Sequence, residues 1–225
     1  MKARTTMPLA PHRHTAPFEC RAASRFNESV NAEGLLTFAQ PLTSLALWRR
    51  FVPMGLEGAF PLLPWENWQD LRITARPIDI LAHVGKHLSN ATNLKGKEIT
   101  ELANDLALCA GLFSGCTCAR LVTLRLECIT DDACRLFHAD NNVARLVTTY
   151  RGIGTQFVDP DTGWRPSEDA REPDASRIQH MQTGDVAIMR GARGSNDARS
   201  IPLYHRSPPL SSVAEWRLFA AIDAA

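Results

Sequence analysis

The chain has 225 residues, 44% of them hydrophobic and 22% charged, with a formal net charge of +1. That length accommodates one sizeable core, and the balance is that of an ordinary globular protein. Lys and Arg form no stripe interleaved with aromatics, which argues against nucleic acid as a partner, and no apolar run reaches the ~18–20 residues that span a bilayer.

Residues 1–30 read as a disordered leader. The segment starts with basic residues, but no secretory apolar stretch follows, and prolines at 8, 11 and 17 oppose an amphipathic helix. With no export signal, the six cysteines are expected as reduced thiols in a cytoplasm. Cys116 and Cys118 stand closer together than zinc-knuckle ligands do and read as small apolar side chains.

Residues 31–118 read as mainly helical and 119–225 as β-structure, together one domain. A helix is expected over Thr43–Phe51, with Leu42, Leu45, Leu47 and Trp48 broadly on one side. Pro77–Leu88 opens on a proline, tolerated in a first turn, and repeats Ile78, Leu81, Ala82 and Leu88 at helical spacing. Lys97–Phe113 is the strongest helical pattern, with Gly115 as its expected stop. After Cys118 the period becomes two: Val122, Leu124, Leu126 and Cys128 alternate with Thr123, Arg125 and Glu127. Further strands are expected at Cys134–His138, Val143–Tyr150, Thr155–Val158, Asp185–Arg190, Ile201–His205 and Glu215–Ile222. Turn-rich stretches such as Asp159–Gly163 separate them. Seven short strands without intervening helices imply an antiparallel barrel or sandwich with the helices packed outside it, an α+β class.

The chemistry concentrates in Arg135-Leu-Phe-His-Ala-Asp140. In an extended segment His138 and Asp140 project from one face. An imidazole beside a carboxylate suits a divalent cation, and two histidines with one carboxylate form the facial set of non-haem Fe(II) oxygenases. His205, at the end of a later apolar strand, is the natural third ligand. Arg217 interrupts the apolar final strand, and a buried guanidinium needs an anionic partner. Glu127 or Asp223 would serve, and so would the carboxylate of a bound organic acid. His83 and His87, at i and i+4, lack an evident third ligand and read as a polar helix face. His12 and His14 belong to the leader. Gly152 and Gly154 suit a hairpin or bulge at the barrel mouth, since the helix and lysine of a phosphate-binding loop are missing. Gln156, Trp164, Arg151 and Arg206 fall near that mouth.

His-x-Asp, a distant His and an Arg twelve residues beyond it resemble the 2-oxoglutarate-dependent Fe(II) oxygenases of the double-stranded β-helix, or cupin, fold. Gly184-Asp185-Val-Ala-Ile-Met also looks like the Gly-Asp strand that precedes the distal His there. The resemblance implies His138, Asp140 and His205 as metal ligands, with Arg217, helped by Tyr150, holding the 5-carboxylate of 2-oxoglutarate. Arg145-Leu-Val-Thr-Thr-Tyr-Arg-Gly-Ile-Gly-Thr155, Gly184–Ala187 and His205-Arg-Ser-Pro-Pro209 are similar to a bacterial family without assigned activity that accompanies zinc-homeostasis genes. These resemblances imply an oxygenase using Fe(II) and 2-oxoglutarate on a small molecule, or a zinc-holding cupin without redox chemistry. A metal-dependent isomerase or hydrolase with Glu127 as base is the third reading. The substrate and the oligomeric state are left open.

Overall fold

The computed structural model describes residues 24–60, 64, 66, 68–91, 94–131, 134–167, 171–195, 200–210 and 216–225. Most of the expected leader, with Cys20, His12 and His14, lies outside them, as do Trp65 and Glu215. In chain order the elements are β1 (Phe26–Ser29), a 3-10 helix (Ala32–Ala39), β2 (Leu45–Trp48), β3 (Leu71–Ala75), α1 (Ile80–Ala91) and α2 (Gly96–Thr117). Then follow β4 (Val122–Ile129), β5 (Ala144–Arg151), β6 (Gln156–Val158), β7 (Ile178–His180), β8 (Val186–Arg190), β9 (His205–Arg206) and β10 (Arg217–Ala224).

Seven strands form one sheet in the order β1-β2-β8-β5-β10-β4-β3, and three form a second in the order β7-β6-β9. Pairing is antiparallel except between β1 and β2. The large sheet is a middle layer. On one face, Leu124 and Leu126 of β4, Leu146 of β5 and Leu218 and Ile222 of β10 join Leu102, Leu106 and Phe113 of α2 in one buried cluster. On the other, Leu45, Leu47, Val147, Ala187 and Met189 meet Phe157, Met181 and Leu203 from the small sheet and its flanking loops in a second cluster. Strand pleating produces both, because successive side chains alternate between faces.

The helices at 77–88 and 97–113 form where the apolar spacing places them. Gly115 does not stop α2: the helix runs to Thr117, and Cys118 takes the left-handed conformation at φ 58°, its N–H bonded to the Ser114 carbonyl at 2.8 Å. The expected helix over Thr43–Phe51 is instead the strand β2. It lies between β1 and β8, its Leu45 and Leu47 on one face and Ala46 on the other, all buried. A strand covered on both faces lacks the apolar–polar alternation that distinguishes it from a helix. β3 lies in the half expected to be helical, β1 is a strand at the end of the segment expected as a disordered leader, and β7 falls in a stretch to which no strand was assigned. The expected strand at Cys134–His138 contracts to a single bridge at His138, and the one at Ile201–His205 to the two residues of β9.

Helices and sheet are also tied by a buried polar knot. Arg50 Nη2 donates to Asp105 Oδ2 of α2 at 2.7 Å, and the Tyr150 hydroxyl of β5 donates to the same oxygen at 2.6 Å. Close by, Gly184 sits at φ +97°, and a Cβ there would stand 2.4 Å from the Val52 nitrogen, so glycine is required. Asp185, next in sequence, accepts from Arg49 Nη1 and from the Gln182 N–H, both at 2.7 Å. The Gly-Asp motif therefore turns the chain into β8 and fixes it to the segment after β2.

Removing one partner of a buried pair leaves an uncompensated charge. Asp105→Ala is therefore expected to cost about 3–5 kcal/mol in urea unfolding while leaving divalent-metal affinity unchanged, because the knot lies on the helix side of the sheet.

Candidate metal centre

Two backbone hydrogen bonds create the centre. The His138 N–H donates to the His205 carbonyl at 3.0 Å, and the His205 N–H returns the bond at 2.9 Å. The residues are thus direct antiparallel partners, with imidazole centroids 4.8 Å apart. Asp140, two residues on, joins them, and one ligating atom from each of the three lies within 4.8 Å of the others. The sequence pattern thus converges in space.

The tautomers suit a cation. His138 Nδ1 lies 2.9 Å from the Leu136 carbonyl and His205 Nδ1 3.3 Å from that of Leu203. With Nδ1 as donor, each ring turns the lone pair of Nε2 inward, the arrangement usual for metal-binding histidines. Asp140 Oδ2 is buried without a hydrogen-bond donor and lies 3.5 Å from His205 Nε2. Two facing acceptors with no proton between them are unfavourable without a cation, so these residues fit a divalent ion. Burial, opposed by the charge of Asp140, pushes His205 from 6.5 down to about 4. A neutral imidazole is the form that binds metal.

A cavity of about 200 Å³ opens between the large and small sheets. Besides the triad it is lined by Arg125, Glu127, Arg145, Thr155, Ser207 and Phe219, among others. Glu127 faces it paired with Arg125 at 3.2 Å. Arg145 bonds Asp140 and, through Nε, Asp223 at 2.8 Å. Arg145 and Arg125 were missing from the sequence-based candidates. The available signal was a charge within an otherwise apolar strand, which obliges a partner.

Arg217 is 1% exposed on β10. Its Nη1 donates to Ser207 Oγ and its Nη2 to Thr149 Oγ1, both at 3.3 Å, and its guanidinium carbon lies 5.2 Å from the Phe219 ring centre. Nε has no acceptor, and no carboxylate pairs with this guanidinium among the described residues. The protein anions anticipated for it are engaged elsewhere: Glu127 with Arg125, Asp223 with Arg145 and Asn142. Burial lowers Arg217 to about 10. Two neighbours line the cavity, and Gly152, at φ +84°, makes room for it: a Cβ there would stand 2.9 Å from Arg217 Cγ.

Tyr150 corrects the sequence expectation. Together with Leu146 it belongs to the helix-side cluster, and its hydroxyl is bound to Asp105, whereas Arg145 and Val147 of the same strand line the cavity. It stands on the wrong face to help Arg217. Arg151 stacks on Trp216 at 3.9 Å, and Trp164 packs edge-on against Phe137 and Tyr204. Arg206 lines the cavity and donates to Gln156 at 2.6 Å and to Glu172 at 2.9 Å. His87 Nε2 lies 3.0 Å from the Gln69 carbonyl, and neither it, His83 nor Cys116 and Cys118 belongs to a potential metal-binding group among the described residues. The five described cysteines are free, and no described helix is long and apolar enough to cross a membrane.

A model of the family described as Protein of unknown function (DUF1826) matches residues 29–223. No curated protein matches the sequence. Among solved structures, the rice dioxygenase for auxin oxidation superposes with a TM-score of 0.52 at 11% identity, covering 88% of this chain and 82% of its own. The Arabidopsis thaliana auxin-oxidation dioxygenase in complex with 2-oxoglutarate gives 0.49 at 8% identity, covering 88% and 91%. A putative oxygenase from Shewanella oneidensis gives 0.46 at 10%, covering 88% and 89%. At such identities the rice enzyme shares the fold.

His138→Ala, Asp140→Ala and His205→Ala should each abolish stoichiometric binding of Co(II) or Zn(II) in calorimetric titration, whereas His83→Ala should bind like wild type. Loss of binding in all four would remove the assignment. The metal-free protein should also lose stability as pH falls from about 6.5 towards 4, since His205 is held below its unfolded value and the unfolded chain then takes up the proton more readily. Urea midpoints across that range, compared with His205→Asn, read this directly.

Proposed function

The chain belongs to the DUF1826 family, a family of unknown function, and from the site just described we propose that it is an Fe(II)- and 2-oxoglutarate-dependent oxygenase acting on a small-molecule substrate. In this reading the two sheets make a double-stranded β-helix around the cavity, and His138, Asp140 and His205 hold the iron. The similarity to the rice dioxygenase supports the fold alone. The observation that carries the function is Arg217.

A guanidinium keeps its charge under any ordinary condition, and burying one without a counter-ion costs several kcal/mol of solvation. Arg217 is buried and, among the described residues, has only two long bonds to hydroxyls and leaves Nε unpaired. A planar carboxylate is the group its fork matches. Ser207 and Phe219, which touch Arg217, also line the cavity that holds the triad, which supports a single ligand spanning the two. A dicarboxylic 2-oxo acid carries the two functions required: a distal carboxylate for Arg217 with Ser207 and Thr149, and a second oxygen pair for the metal. Bound Fe(II) supplies the chemistry that couples oxidative decarboxylation of the 2-oxo acid to oxidation of a substrate by O2. The protein contributes position and exclusion of water, with apolar walls such as Val147 and Phe219 beside the charged ones.

A zinc-holding module without redox chemistry uses the same triad, but it leaves Arg217 unexplained. The two readings separate on the cosubstrate. Iron-loaded protein given 2-oxoglutarate and O2 should release succinate, and 2-oxoglutarate should raise the melting temperature of the metal-loaded form. Arg217→Met should keep the metal, lose most of that thermal shift and weaken 2-oxoglutarate binding by at least about tenfold, the loss of roughly one charge-assisted pair. No succinate from iron-loaded protein, with no thermal response to 2-oxoglutarate, would leave the zinc module as the better account.

A further inference from the structure

We propose that Arg145 is a positioning residue for the metal centre: its guanidinium, anchored on Asp223, occupies one oxygen of Asp140 so that the carboxylate presents a single oxygen to the ion. This rests on the metal reading above. Arg145 Nη1 donates to Asp140 Oδ1. The remainder of the fork is bidentate on Asp223, Nε to Oδ1 at 2.8 Å and Nη2 to Oδ2 at 3.0 Å. Asp223 on β10 is the direct register partner of Arg145 on β5, and Asn142 Nδ2 donates to it at 2.8 Å. The anchor therefore sits on a central strand pair rather than on a loop.

The second oxygen of Asp140 shows the consequence. Oδ2 is buried, receives no hydrogen bond and faces His205 Nε2, while Oδ1 is taken by Arg145. A carboxylate free to rotate can chelate an ion through both oxygens. Held at one of them by a cation, it can offer only the other, which leaves a coordination position for an incoming ligand. The charges follow the same logic. Two carboxylates and one guanidinium leave the cluster at a net charge of −1, so a divalent ion between two neutral imidazoles makes the centre +1 and receptive to an anionic ligand. Arginine suits this task because its fork serves two carboxylates at once, which a lysine ammonium does not.

Co(II) titration followed by visible absorption tests the proposal on wild type, Arg145→Met, Arg145→Lys and Asp223→Asn. Loss of an outer partner of a metal ligand typically lowers affinity about 10- to 100-fold, and that loss is expected for Arg145→Met. Its Co(II) bands should also weaken as Asp140 swings to two-oxygen binding and the coordination number rises. Arg145→Lys should resemble Arg145→Met in spectrum. Asp223→Asn, which keeps the side-chain shape, should lose affinity in the same direction by a smaller factor, and it decides the matter should Arg145→Met fail to fold. A merely structural role would shift melting temperatures and leave the spectra alone. Wild-type affinity and bands in folded Arg145→Met, or in Asp223→Asn should that be the variant that folds, overturn the proposal while leaving the metal reading standing; a wild-type chain that takes up no Co(II) overturns both.

Discussion

The alternation of side chains across one central sheet organises everything else in this molecule. On β4, β5 and β10 the residues turned towards the helices are apolar, Val122, Leu124, Leu126, Leu146, Leu218 and Ile222 among them, and they seal against α2. Their neighbours in sequence, Arg125, Glu127, Arg145 and Phe219, turn the other way and line the cavity. A shift of register by one residue would bring the charges into the helical core and the leucines into the site. Stability and chemistry are therefore set by the same pairing, and the helices reinforce it from outside through the Arg50–Asp105–Tyr150 knot.

Within that frame the small sheet adds what the large one lacks. β9 and the single bridge at His138 bring together residues far apart in the chain, through two reciprocal backbone hydrogen bonds. Backbone pairing is a sound way to position the two candidate ligands, because the imidazoles inherit the geometry of the ladder. The ring nitrogens not turned inward are tied to carbonyls two residues upstream on each strand. Arg217 and Arg145 then play opposite parts in one electrostatic design. Arg145 is compensated by two carboxylates, whereas Arg217 has none among the described residues.

Much of this was legible in the residues. His-x-Asp shows its common face as soon as the segment is taken as extended, and the rhythm of residues 122–128 identifies β4 without ambiguity. The strand β2 was not legible, since burial of Leu45, Ala46 and Leu47 on both faces erases its alternation. Tyr150 shows a subtler limit. Its strand is plain in the residues, but a resemblance that pairs it with Arg217 is blind to strand parity: Tyr150 falls on the same side as Leu146, away from Arg145 and Val147. The partner of Arg217 was also beyond reach, because the engagement of Glu127 by Arg125 and of Asp223 by Arg145 depends on register between strands distant in sequence.

Anomalous diffraction from crystals soaked in Mn(II) or Co(II) tests the metal centre most directly. A single strong peak about 2.0–2.2 Å from His138 Nε2, His205 Nε2 and Asp140 Oδ2 is the expected result. A peak elsewhere, or none at the triad while the ion binds at His83 and His87, would contradict the account.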